Sequence, residues 1–173
     1  FAQEYFQQKV DYSISVKLDD VRHMLMAEEA VKYTNNSTTV LNEIWFHLWP
    51  NAYKNNETAF AKAEILSGST KFQFASEKSR GFIDSLDFKV DGQSVKMEYH
   101  PEHQDICKIT LNRSLNPGET ITITTPFRVK IPSSAFSRLG HYLQQYQLCQ
   151  WYPTPAVFDR KGWHPMPYLN QGR

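Results

Sequence analysis

Strict alternation of apolar and polar residues recurs along this chain. Tyr12, Ile14, Val16 and Leu18 fall on one side of an extended backbone, with Asp11, Ser13, Ser15 and Lys17 on the other. A period of two places successive side chains on opposite faces, so the pattern predicts a half-buried strand. Ile121, Ile123, Phe127, Val129 and Ile131 alternate in the same way with Thr122, Thr124, Arg128 and Lys130. Phe82, Leu86, Phe88 and Val90 alternate with Ser85, Asp87 and Lys89 up to the turn Asp91-Gly92. Val95, Met97 and Tyr99 then read as the return strand of a hairpin. Residues 106–111 predict another strand, closed by the turn Asn116-Pro117-Gly118. One-sided burial of this kind marks antiparallel sheet.

Other segments are less uniform. Residues 21–34 contain Met, Leu, Ala and Glu, which favour helix, yet turn signals bracket them at hairpin spacing, and we read a strand. Residues 56–66 predict a short helix. Residues 133–143 predict a second, with Ser133 and Ser134 as N-caps after Pro132. Between 44 and 49, Trp45, His47 and Trp49 share one face while Ile44, Phe46 and Leu48 share the other. A strand apolar on both sides must be covered on both, which predicts a central core strand with His47 as a hydrogen-bonded core histidine.

Length and composition narrow the class. The 173 residues suit one domain, spanning 1–173, and no repeat, low-complexity tract or convincing domain boundary interrupts them. Aromatic residues make up 14%, which favours pleated sheet, so the expected fold class is all-β. A formal net charge of +1 supplies no electrostatic footprint for nucleic acid. No apolar run is long enough for a transmembrane helix. The start, "FAQEYFQQKVDYS", lacks an initiator Met and reads as though an upstream segment such as a signal peptide had been removed. Cys107 and Cys149 are the two cysteines and read as buried free thiols rather than a disulfide framework.

Candidate chemistry is sparse. "HPEH" at 100–103 gathers His100, Glu102 and His103, but Pro101 denies it a helical face that would aim both imidazoles at one ion. It reads as a solvated loop. The H-E-x-x-H helix, the G-x-S-x-G elbow and the phosphate-binding glycine loops are absent from the 173 residues. Sequons at Asn35, Asn36, Asn56 and Asn112 are too short a pattern to carry weight alone. These residues reveal no catalytic centre and no metal ligand.

The densest feature is "QLCQWYPTPAVFDRKGWHPMPY", residues 147–168. Pro153, Pro155, Pro165 and Pro167 each fix φ and remove a donor, so a stiff, irregular loop is expected. Trp151 and Tyr152, flanked by Gln150 and Pro153, combine ring area with polar tips, as ligand and peptide sites do. On chemistry alone, packing at a sheet edge and ligand binding both remain open.

Five segments together resemble a known family. "YSISVKLDD" (12–20), "EEAVKYTNNS" (28–37), "LNEIWFHLWPNAY" (41–53), "LNPGETITITTPFRVKIP" (115–132) and "CQWYPTPAVFDRKGWHPMPY" (149–168) occur in the order seen in one kind of domain. It is the N-terminal domain of the aminopeptidase N-type zinc metallopeptidases, closest in flavour to a bacterial, Bacteroidetes-like branch. The resemblance covers nearly the whole chain. It implies a large curved, saddle-like antiparallel sheet packed with a smaller sheet, and one or two short helices. It further implies a downstream catalytic domain of the same polypeptide that carries the zinc, with no cofactor in this chain. The ending "LNQGR" falls where a further strand is expected.

The resemblance also implies roles. In the family, a loop of this domain reaches the substrate cleft with a Q-x-E pattern that meets the N-terminal residue of a peptide. Gln150 matches the Gln, whereas Tyr152 stands where the Glu is expected. A phenol hydrogen-bonds an ammonium group but brings no charge at neutral pH. Gln150 and Tyr152 are therefore the expected substrate-binding residues, and Trp151 the loop's anchor. Export to the periplasm or cell envelope is the implied location. The competing expectation is a stand-alone β-sandwich that binds carbohydrate or protein on Trp45, Trp49, Trp151 and Trp163.

Overall fold

A computed structural model describes residues 6–169. The expected processed start and the strand expected at "LNQGR" fall largely on residues 1–5 and 170–173, outside that range. Strands β1 (Lys9–Asp19) and β2 (Met24–Thr34) form an antiparallel hairpin paired without interruption along its length. Asp19 makes the turn, its Oδ1 accepting from the N–H groups of Val21 and Arg22. The helix-forming residues of 24–30 are strand because ladders run along both of their sides, and pairing outweighs local propensity.

The chain continues through β3 (Leu41–His47), a 3-10 turn at Trp49–Tyr53 and helix α1 (Ala59–Leu66). The helix is capped by Thr58, whose Oγ1 accepts from the Ala61 N–H at 3.2 Å. Then come β4 (Phe82–Asp84), β5 (Lys89–Val90), β6 (Gln93–Ser94), β7 (Lys96–Tyr99), β8 (Ile106–Leu115) and β9 (Thr120–Lys130). Five short strands follow: β10 (Gly140–Tyr142), β11 (Gln145–Gln147), β12 (Thr154–Pro155), β13 (Val157–Asp159) and β14 (Gly162–His164).

These strands build a larger sheet in the order β1-β2-β9-β5-β6, with β4 also on β9, and a smaller sheet in the order β12-β3-β8-β7. All strand pairs in both are antiparallel, so the all-β expectation holds. Leu25, Val31, Tyr33, Ile123 and Phe127 of the larger sheet bury against Ile44, Phe46 and Ile109 of the smaller in one apolar cluster. A second cluster surrounds α1, where Tyr53, Phe60, Phe72 and Phe136 meet edge to face at about 5 Å.

Three details differ from the alternation pattern. Residues 82–90 are not one strand. The chain leaves the ladder at Ser85 (φ 62) and rejoins it at Lys89, and the Asp87 N–H donates to Thr125 Oγ1 at 2.9 Å. On that side of β9, β4 reaches residues 128–130 and β5 reaches 123–124, so Pro126 lies in the gap, where no donor is required of it. Met97 and Tyr99 do not return beside residues 86–90, and Val95 reaches them only through its N–H, which donates to Phe88 O at 3.1 Å, without entering the strand pairing. Gln93 and Ser94 make that pairing, and the chain then changes sheet, so that Lys96–Tyr99 pair with β8.

Residues 133–143 form no second α-helix. Ser133 Oγ and Ser137 Oγ accept from backbone N–H groups two residues on, at Ala135 and Leu139, which stabilises turns. The backbone doubles back through His141 N–H to Pro132 O and Ser134 N–H to His141 O. That return needs Gly140, because a Cβ there would sit 2.5 Å from Ser134 Cα.

Glu29 lies on the inner face of the larger sheet, 3% exposed, between cross-strand neighbours Ile14 and Thr125. Neither carboxyl oxygen has a hydrogen-bond partner among the described residues, and burial pushes its pKa from 4.5 up to about 8. The fold thus prefers the protonated acid. Its full stability is present below the unfolded value of 4.5 and is lost as pH rises towards 8. Glu29→Gln is expected to raise stability at neutral to mildly alkaline pH by on the order of 3 kcal/mol, and to change little near pH 4. Urea denaturation across that range measures it.

Candidate functional site

The chain makes no long strand after Lys130, and beyond 147 its residues are spent as edges and straps. Thr154 and Pro155 pair with His47 and Phe46 as the outermost strand of the smaller sheet, where a proline costs no ladder bond. The Ala156 N–H donates to Trp45 O at 2.7 Å and extends the attachment. The β13–β14 hairpin follows, its turn held by Asp159, whose Oδ1 accepts from the Lys161 N–H and meets His164 Nε2 at 2.8 Å. The His164 contact, with the Lys161 N–H, holds the Asp159 carboxyl below its usual pKa.

Residues 165–168 are then strapped across the second face of β3. The Met166 N–H donates to His47 Nε2 at 3.2 Å, and the Tyr168 N–H donates to Asp105 Oδ2 at 2.7 Å. His47 stacks on Trp49 at 4.7 Å, and the Tyr168 ring lies 5.7 Å from Tyr53 and 6.0 Å from Phe60. His47 is the hydrogen-bonded core histidine expected. Asp105 carries no sequence signal, since an isolated acid before a strand is ordinary. Burial raises its pKa despite the bond from Tyr168.

Between hairpin β10–β11 and β12 lie the three predicted site residues, consecutive but in different surroundings. Trp151 is half-buried, packs against both apolar clusters and lies 5.9 Å from the Phe127 ring. Tyr152, also half-buried, meets Trp151 at 5.4 Å and the Tyr12 ring of β1 at 5.4 Å, edge-on in both cases. Gln150 is exposed, with left-handed backbone at φ 56, an uncommon conformation for a residue other than glycine. It borders a narrow crevice with Trp49, Tyr53, Arg138, Cys149 and Tyr168. A hollow of about 420 Å³ lies elsewhere, on the outer face of the larger sheet around Ser13, Ser15, Glu28, Lys89 and Thr124.

Sequence reasoning missed the support beneath this loop. In sequence Tyr12 is one member of an alternating row, yet its ring backs Tyr152, and burial raises its phenol pKa with help from Tyr152 and Glu29. The remaining candidates resolve simply. His100 and His103 stack on each other at 4.8 Å in a loop, and no three metal-binding side chains gather among the described residues. Cys107 and Cys149 are free; Cys107 is buried, and its thiol is pushed up to about 12 by desolvation. Cys149, expected to be buried, is half-buried because it lies in the loop beside exposed Gln150. Asn35 is fully buried, its amide donating to the Thr39 and Leu115 carbonyls, so that sequon is a structural tie.

His47 generates a pH prediction. Burial lowers its pKa from 6.5 to about 4, so the folded protein keeps the neutral ring that accepts from Met166. Below pH 6.5 the unfolded chain takes up the proton first, so stability falls until about pH 4, where the folded ring also protonates. The expected loss is roughly 2–3 kcal/mol. Thermal melts of wild type and His47→Gln over this range test it, the variant showing the shallower dependence.

No family model matches the chain, and no curated protein matches it. Among solved structures, 30 chains match it. One is the crystal structure of a mutant M1 zinc metallopeptidase from Deinococcus radiodurans, similar at a TM-score of 0.48 with 13% sequence identity. The match covers 92% of this chain and 28% of that one, so the chain spans just over a quarter of that protein's length.

Proposed function

We propose that this chain is the non-catalytic N-terminal domain of a zinc aminopeptidase. In this reading it scaffolds a catalytic domain that follows in the same polypeptide and contributes a loop to the cleft for the N-terminal residue of a peptide. The reading starts from the five segments in register. The observation that carries it furthest is the setting of Gln150. It is exposed and held in left-handed backbone. One neighbour, Trp151, is packed into both clusters, and β12 is fixed to the smaller sheet just beyond. A polar amide held on a stiff loop is suited to meeting a ligand with little ordering cost. Tyr152 adds an aromatic wall backed by Tyr12. The zinc and its ligands belong, on this reading, to the catalytic domain, and export to the periplasm or envelope accompanies it.

A lectin-like or adhesive module is disfavoured by the tryptophans. Trp45, Trp49, Trp151 and Trp163 are all half-buried and engaged with neighbours, among them His100, His47, Phe127 and Phe158. Flat stacking on a sugar requires an open ring face, which these do not line up to provide.

The chain alone, given zinc and an aminoacyl chromogenic substrate, is expected to show no turnover. In the longer polypeptide carrying an H-E-x-x-H domain, Gln150→Ala is expected to raise KM for aminoacyl substrates several-fold with the melting temperature unchanged. Steady-state kinetics measures it. Turnover by the chain alone, or an unaltered KM, defeats the reading.

A further inference from the structure

Strand β1 is the free margin of the larger sheet. It pairs with β2 along one side and runs eleven residues with no bulge and no proline. Its inner-face row is partly uncovered, with Val16 48% and Leu18 42% exposed. A long, regular, partly apolar edge is a template for another strand unless charge or shape blocks it. Here the charges do not block a second copy. They invite one.

The residue order from Lys9 to Asp19 is complementary to itself when reversed. Turned antiparallel about Ile14, the strand sets Asp11 opposite Lys17, Tyr12 opposite Val16 and Ser13 opposite Ser15. Val10 then faces Leu18, and Lys9 faces Asp19. Apolar positions meet apolar and polar meet polar, so both faces of the sheet continue across the junction. Opposite charges directly across an antiparallel pair stabilise it, and like charges destabilise it. Other registers fail on that ground. A shift of two residues one way opposes Lys9 to Lys17, and the other way opposes Asp11 to Asp19. A shift of one brings polar rows onto apolar ones.

The side chains are in position to make the exchange. Lys17 forms no ion pair among the described residues, and Asp11 meets Lys9 of its own strand at 3.2 Å, with both side chains mostly exposed. Asp19 is already committed to its turn, which leaves Asp11–Lys17 as the discriminating pair. Along the apolar row, the uncovered end at Val16 and Leu18 would face the end where Tyr152 covers Tyr12.

We propose that β1 is a homodimer interface, in which two copies of this chain pair their β1 strands antiparallel about Ile14 and join their larger sheets into one. This does not depend on the cleft reading. Sedimentation velocity of the chain at about 100 µM, a range suited to a small interface, should show a dimer. Asp11→Lys places lysines opposite each other at both symmetry-related positions and should weaken association at least about tenfold, as should Lys17→Asp. The double exchange, Asp11→Lys with Lys17→Asp, should restore it. Both positions are solvent-exposed, so the circular dichroism spectrum should not change. Lys17 faces Met26 within the hairpin, and Lys17→Asp should leave the melting temperature unchanged, whereas Asp11 faces Lys32 and Asp11→Lys should lower it slightly. A wild-type monomer at that concentration, a dimer insensitive to Asp11→Lys, a double exchange that fails to recover, or association solely with a different protein overturns the proposal.

Discussion

A strand that is apolar on both sides has to be covered on both, and β3 meets that demand in two ways at once. Ile44 and Phe46 face the larger sheet and join the two layers, with Phe46 4.9 Å from Phe88. The other face carries His47, and there the terminal segment crosses through Met166 and Tyr168. One side of β3 is paired by β8 and the other receives β12. The 3-10 turn that follows delivers Ala52 and Tyr53 to the second cluster. The placement of the 150–152 loop follows from these attachments, since β12 fixes its exit and Trp151 its body.

Much of this was readable from residue order. The strands at 9–19, 106–115 and 120–130 follow the alternation, as does the double-sided burial of 44–48. The short helix expected over 56–66 is present from Ala59 to Leu66, its start set by the Thr58 cap. The failures have local causes. Residues 86–90 alternate, but Phe82 and Ile83 are both apolar and Asp84 and Ser85 both polar, so the phase that buries Ile83 is not the phase that buries Phe88 and Val90. Extending one alternation across 82–90 passed over that change at Ser85. Residues 133–143 carry good N-cap residues, yet a serine that caps a helix and one that closes a turn look alike in sequence. The decision there rests with a close approach at Gly140 to the backbone of Ser134, six residues before.

The candidate site was legible as a segment and not as a geometry. Gln150, Trp151 and Tyr152 are adjacent in sequence, but nothing in their order shows that one is exposed and two are half-buried, or that Tyr12 lies behind Tyr152. Glu29 shows the same limit from the other side. Within an alternating strand it occupies an inward position, where a carboxyl is costly to bury. The pattern located it without revealing that its oxygens lack partners.

Trp151 is shared by two clusters that are otherwise distinct. A side chain in that position couples them, because neither can loosen around it without exposing part of the other. The shape of the loop is therefore governed by cooperative opening of the domain interior and not by local fraying, the usual fate of surface loops. The coupling acts through the Trp151 ring, since the loop's own backbone lies outside the strand ladders. A loop anchored in that way behaves as a fixed part of the scaffold, and its one left-handed residue, Gln150, is carried at the expense of the whole fold's stability.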